Sequence, residues 1–186
     1  ELIKKYRDMS QYPECDQAID DIINESVVTN RENQPVTINL EKSNLSDNIK
    51  ASIKKEFSEI MRLLDFRKIG YEIFRKWYVD GRIYFHIIID NKNPKRGILE
   101  LRPIDPLKIK KIRQPKLTDG PQGKILDTSG FQEYYLFNER GITDRVGGST
   151  IQISEDSVSY AHSGVLDANR KTVLSHLHKA IKPLNQ

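Results

Sequence analysis

The sequence predicts an α+β fold, with N-terminal helices packed on a small, mostly antiparallel sheet and a further helix at the C-terminal end. Three observations carry this expectation. Apolar residues recur every three to four positions as far as Asp80, alternate every second position from Arg82, and return to helical spacing after Lys171. Helical and extended patterns therefore lie in separate blocks, which reads as α+β rather than as alternating βα units. The 186 residues, 37% hydrophobic and 30% charged, are enough for one generous domain with a wet surface.

The elements follow in order. The first thirty residues read as helix: Pro13 suits an early helical position, Glu14 and Asp16 suit the positive helix start, and Ile19, Ile22, Ile23 and Val27 mark a buried face. Asn30–Gln34 breaks it. Val36, Ile38 and Leu40 alternate as a short, half-buried strand near 36–40. Ser46 caps a second helix striped by Ile49, Ile53, Phe57, Ile60 and Leu64. A third, with Ile69, Ile73 and Trp77, closes the helical part (1–81) at Asp80–Gly81. The β-rich part (82–165) opens with Arg82–Asp90, apolar on both faces and so central in its sheet. A loop with Pro94 and Gly97 turns it into Ile98–Arg102. Leu107, Ile109 and Ile112 slip phase by one, which predicts a bulge at Lys110–Lys111. Residues 114–130, with two Pro and three Gly, read as an exposed, mobile loop. Phe131–Phe137, Thr150–Ile153 and Ser157–His162 are further strands, with a turn at Gly147–Gly148. Lys171–Gln186 is the final helix, ended or kinked by Pro183.

The longest apolar run, Ile83–Ile89, is far short of the roughly 18 residues a membrane helix needs. Cys15 is the single cysteine, which excludes an internal disulfide or a multi-cysteine metal site and suits a reducing cytoplasm or a particle assembled in one. The chain opens on Glu1 rather than Met, so a piece of a longer protein is expected, and its charged first segment does not read as a signal peptide. The net charge of +4 conceals a strong polarity. Asn91–Lys116 holds nine cations and two anions, whereas Asp8–Glu32 holds seven anions and one cation. Such polarity suits a nucleic-acid patch and a charge-matched subunit contact equally well. The candidate contact residues are Lys108, Lys110, Lys111, Arg113 and Lys116, facing DNA, another protein or a neighbouring subunit. The complementary acidic set is Asp16, Asp20, Asp21 and Glu25. A solvated strand face is the plain alternative. No aromatics are interleaved with the lysines, so single-strand readout has little support.

Catalytic patterns are thin. Asp90 with Glu100-Leu101-Arg102 echoes a carboxylate–carboxylate–cation nuclease site on a hairpin, but so short a motif arises readily by chance, and exposed hairpin charges are the plainer reading. His176 and His178 are two apart on a helix and cannot share a metal; His86 reads as a packed histidine. His162-Ser163-Gly164 lacks a nucleophile elbow, Gly147-Gly148-Ser149 is no phosphate loop, and the acidic setting of Cys15 disfavours its thiolate. Neither an enzyme, a metal site nor a cofactor is predicted.

Four longer runs add a family. Gly70–Asp90 (GYEIFRKWYVDGRIYFHIIID), Gly97–Pro106 (GILELRPIDP), Asp156–Gly164 (DSVSYAHSG) and Ser175–Gln186 (SHLHKAIKPLNQ) resemble the portal vertex proteins, the head–tail connectors of T-even-type tailed phages. The resemblance covers nearly the whole chain. It implies a structural, non-enzymatic subunit of a twelve-fold ring at one capsid vertex, serving head assembly, double-stranded DNA packaging and ejection, and head–tail connection. It further implies the wing-side portion, with the C-terminal helix directed toward a stem that this sequence lacks. The implied partners are copies of itself, the major capsid protein, terminase and neck proteins, and double-stranded DNA, in a virion assembled inside a bacterial host. A stand-alone double-stranded-nucleic-acid-binding module using residues 91–116 is the alternative from the residues alone.

Overall fold

The computed structural model describes residues 1–27, 36–120, 123–142 and 150–184. The α+β expectation holds, with two sheets where one was expected. The N-terminal helix is in fact two, α1 (Leu2–Met9) and α2 (Pro13–Ser26), separated by a turn at Ser10–Tyr12 that places Pro13 at the first helical position. α3 spans Asp47–Leu63 and α4 spans Phe66–Asp80, with Asp65 between them in the left-handed region.

β1 (Arg82–Ile89) is the centre of the first sheet, flanked by β2 (Ile98–Ile104) and β6 (Val158–His162), all antiparallel. The second sheet pairs β3 (Ile109–Gly120) with β4 (Gly123–Phe137) and β4 with β5 (Ile151–Ser154), also antiparallel. Two buried clusters result. Tyr6, Met9, Ile19, Ile23, Val79 and Leu177 join α1, α2 and α4 to the C-terminal segment. Tyr84, Ile109, Tyr135 and Val158 join the two sheets, and the Tyr84 ring meets that of Tyr135 edge-on at 6.0 Å.

Several expectations need correction. Residues 36–40 form no strand: the alternation is there, but no described strand pairs with them to take their backbone hydrogen bonds. Residues 114–130 are largely strand, because Leu117, Thr118 and Asp119 pair with Leu126, Ile125 and Lys124. Pro115 is tolerated since the register shifts between it and Lys116, where a missing N–H costs the ladder little. That is the irregularity in β3; none falls at Lys110–Lys111. Ile22 is 38% exposed and lies off the buried face of α2. The final helix begins only at His176, as a 3-10 turn (His176–Ala180) leading into α5 (Ile181–Leu184). The predicted break at Asn30–Gln34 and the turn at Gly147–Gly148 lie outside the described residues.

The segment before that 3-10 turn is an extended strap across the joint between α4 and β1. Leu174 N–H donates to the Val165 carbonyl (2.8 Å), Ser163 Oγ to the Leu174 carbonyl (2.6 Å) and Ser175 Oγ to the Tyr78 carbonyl (3.1 Å). Gly81 sits under the strap with φ +72°, and a Cβ there would lie 2.6 Å from the Leu174 carbonyl oxygen. Only glycine meets both demands.

Candidate functional site

The basic block does not form one cationic face. Without a slip at Lys110–Lys111, strand alternation sends Lys111 and Arg113 to one side of β3 and Lys110 to the other, while Lys108 sits in the turn before it. Lys111 reaches both Glu133 (2.5 Å) and Glu155 (2.7 Å), and Arg113 reaches Glu133 (3.2 Å). The hydrogen bonds that the Lys111 ammonium donates, first to Glu133 and then to Glu155, hold it above its ordinary pKa. Arg113 also lies over the ring of Phe131, 4.3 Å from its centroid. Lys108, Lys110 and Lys116 form no ion pair with a described side chain, although the charge of Lys108 helps to lower the Asp105 carboxyl.

The acidic set divides as well. Arg75 on α4 takes Asp16 and Asp20 on α2, and the Tyr71 hydroxyl donates to Asp20. The helical period points Asp21 and Glu25 outward, where both are exposed. Glu32, at the end of the acidic block, lies outside the described residues. Of the nine predicted contact residues, the structure thus commits Lys111, Arg113, Asp16 and Asp20 to internal pairs, which the charge count could not distinguish from the rest.

One site escaped the sequence reading. The Arg7 guanidinium forks onto two carboxylates at once: Nε and Nη2 donate to Asp80 (2.9 and 2.7 Å), and Nη1 and Nη2 to Asp105 (3.2 and 2.9 Å). The clasp ties α1 to the end of α4 and to the turn after β2. Asp80 is 3% exposed, so the pairing compensates a buried charge. Burial alone would raise the Asp105 carboxyl, but the bonds from Arg7 and the Leu107 N–H outweigh it and hold it below the usual carboxylate range. Residues 73 and 98 positions apart carry no local signal of such contact. A cleft of about 540 Å³ opens beside the clasp, lined by Val79, Ile83 and Ile104 together with charges of both signs; among the described residues its lining holds neither His nor Cys.

The carboxylates of the nuclease idea have other occupations. Asp90 accepts from the Lys92 and Asn93 N–H groups of its own turn, and Glu100 is paired with Arg102. Glu100 stands opposite Ile88 rather than Asp90. Among the described residues no group of three His, Cys, Asp or Glu side chains is placed to hold a metal ion, and no helix is long and apolar enough to cross a membrane. His178 Nδ1 bonds the Tyr6 hydroxyl at 2.8 Å, whereas the His176 ring stacks on Tyr78. Burial lowers the His176 pKa. His162 Nδ1 accepts from the Gly164 N–H. These are packing and turn roles.

Comparison with known proteins agrees with this structural character. The family model described as bacteriophage T4-like portal protein (Gp20) matches residues 1–186. The chain is 39% identical over 198 residues to a portal protein of Vibrio phage KVP40, covering 100% of the chain and 37% of that relative. It is 33% identical over 196 residues to a portal protein of Salmonella phage ViI, covering 99% of the chain and 35% of the relative. The chain therefore spans a little over a third of the length of these curated relatives.

Proposed function

The chain belongs to the bacteriophage T4-like portal protein family, and on that premise we propose that it is the wing-side part of a structural subunit of the portal ring. In this reading copies of the protein close into a twelve-fold ring at one capsid vertex. The ring contacts the major capsid protein, passes double-stranded DNA during packaging and ejection, and joins head to tail. Contacts with terminase, made by a clip, and with neck proteins fall mostly to regions that this chain does not span. The observation that carries the reading is the match over all 186 residues to a family whose similar members are named portal protein.

The division of the basic block counts against the stand-alone DNA-binding reading. Phosphate contact along a duplex draws on several cations presented together. Here Lys111 and Arg113 are taken up by Glu133 and Glu155, and Lys110 points to the other face of the strand. A structural role also suits a molecule whose polar clusters clamp elements together, as Arg7 does.

The test is electron microscopy and sedimentation of the full-length protein. Rings with a central hole are expected. A monomer that binds double-stranded DNA with steep salt dependence would favour the DNA-binding module instead.

A further inference from the structure

Subtracting the internal ion pairs leaves two unlike surfaces on one chain. On α2, Glu14, Asp21 and Glu25 recur at i, i+7 and i+11 along one exposed line, with exposed Ala18 and Ile22 beside them. No described cation pairs with these three carboxylates. On the second sheet, alternation assigns Lys110, Ile112 and Gln114 to one face with their register partners Leu136, Tyr134 and Gln132. That face is opposite the one carrying the buried Ile109 and Tyr135. Ile112, Tyr134 and Leu136 are half-buried and belong to neither buried cluster. Lys110 lies on it without a described ion-pair partner, and Lys108 stands at its near end, where its charge also acts on the Asp105 carboxylate.

We propose that these surfaces meet between neighbouring copies of the protein: α2 of one copy lies on the open β3–β4 face of the next. Ala18 and Ile22 cover Ile112, Tyr134 and Leu136, while Asp21 and Glu25 face Lys108 and Lys110. Three features select a second copy as the occupant. The charges are opposite, and Asp21 and Glu25 on one side and Lys110 on the other have no described ion-pair partner. Each charged line borders an apolar strip, so burial supplies holding energy while the charges set register. The two surfaces differ, which makes the contact head-to-tail, the type that closes into rings. The dimensions also agree: a helix of 14 residues is about 21 Å long, and Ile109–Gln114 extends about 20 Å.

This inference rests on the ring reading, and the experiment separates the two. Full-length wild-type protein is first imaged and sedimented; absence of rings overturns the ring reading itself, and this contact with it. Where rings form, Ile22→Cys and Gln132→Cys are introduced together on a Cys15→Ser background and treated with a short bismaleimide, with each single variant as control. A ladder of linked subunits in the double variant alone is expected. Intact rings without a ladder overturn the contact: thiols that react singly with maleimide would assign the faces to another partner, and unreactive thiols would mean the protein's own segments cover them. Lys110→Glu is the second arm, expected to slow ring assembly about tenfold at low salt, with Glu25→Lys in the same chain restoring the rate. Unchanged assembly in Lys110→Glu contradicts the proposal.

Discussion

α3 and α4 are consecutive helices of 17 and 15 residues, both amphipathic in sequence, yet they have opposite fates. α4 is embedded: Gly70, Val79 and Asp80 are buried, and α1, α2, β1 and the C-terminal strap converge on it. α3 has no buried residue, and Ile49 and Ile60 of its apolar stripe are 49% and 39% exposed. Hydrophobic period shows that a helix has a face; it does not show that the same chain covers that face. Stability should therefore concentrate around α4, with α3 held more loosely against it.

The largest effect is expected at the joint beneath the strap. Gly81→Ala places a Cβ 2.6 Å from the Leu174 carbonyl oxygen in a left-handed backbone conformation, and should cost about 4 kcal/mol. Thermal unfolding of the purified variant checks it, and an unchanged melting temperature would mean that the strap is not seated on α4. Next comes a matched pair of truncations. Ile23→Ala, at a fully buried site, should cost about 3 kcal/mol, whereas Ile49→Ala on α3 should cost no more than about 0.5 kcal/mol. Equal losses in urea titrations would erase the contrast between the two helices.

Removing the clasp should have an intermediate effect. Arg7→Met strands the buried Asp80 carboxylate and should cost about 2 kcal/mol, allowing for solvent screening of a partly exposed guanidinium. Restoration by a second change, Asp80→Asn, would confirm that the stranded charge is the cause. The smallest effect concerns His176. Burial favours its neutral form, so the unfolded chain binds more protons in the range just below the ordinary histidine pKa of 6.5. Stability is then complete above about pH 6.5 and declines as pH falls below it. His176→Phe, which keeps a ring against Tyr78, should flatten that decline in melting curves taken from pH 7 to 5.

The same contrast explains how far the sequence was legible. Period placed α2, α3, α4, β1 and β2 to within a few residues, because spacing is a local property and these elements keep it. The fates of individual charges were not legible. Asp16 and Asp21 look alike in a charge count, but one meets Arg75, 59 residues away, and the other points outward. Residues 114–130 misled for a related reason: Pro115 and the glycines read as loop, although a register shift lets a proline sit in a long hairpin. Val36, Ile38 and Leu40 misled in reverse, since alternation without a neighbouring strand does not make a sheet. The Arg7 clasp joins three distant segments and left no sequence trace.

Hydrogen exchange on the chain in solution tests the central contrast most directly. The amides of Ile73–Asp80 in α4 should open only with global unfolding, while those of Ile53–Leu63 in α3 exchange about a hundredfold faster or more. Comparable protection in the two helices would contradict the division of the molecule into an embedded α4 and a loosely held α3.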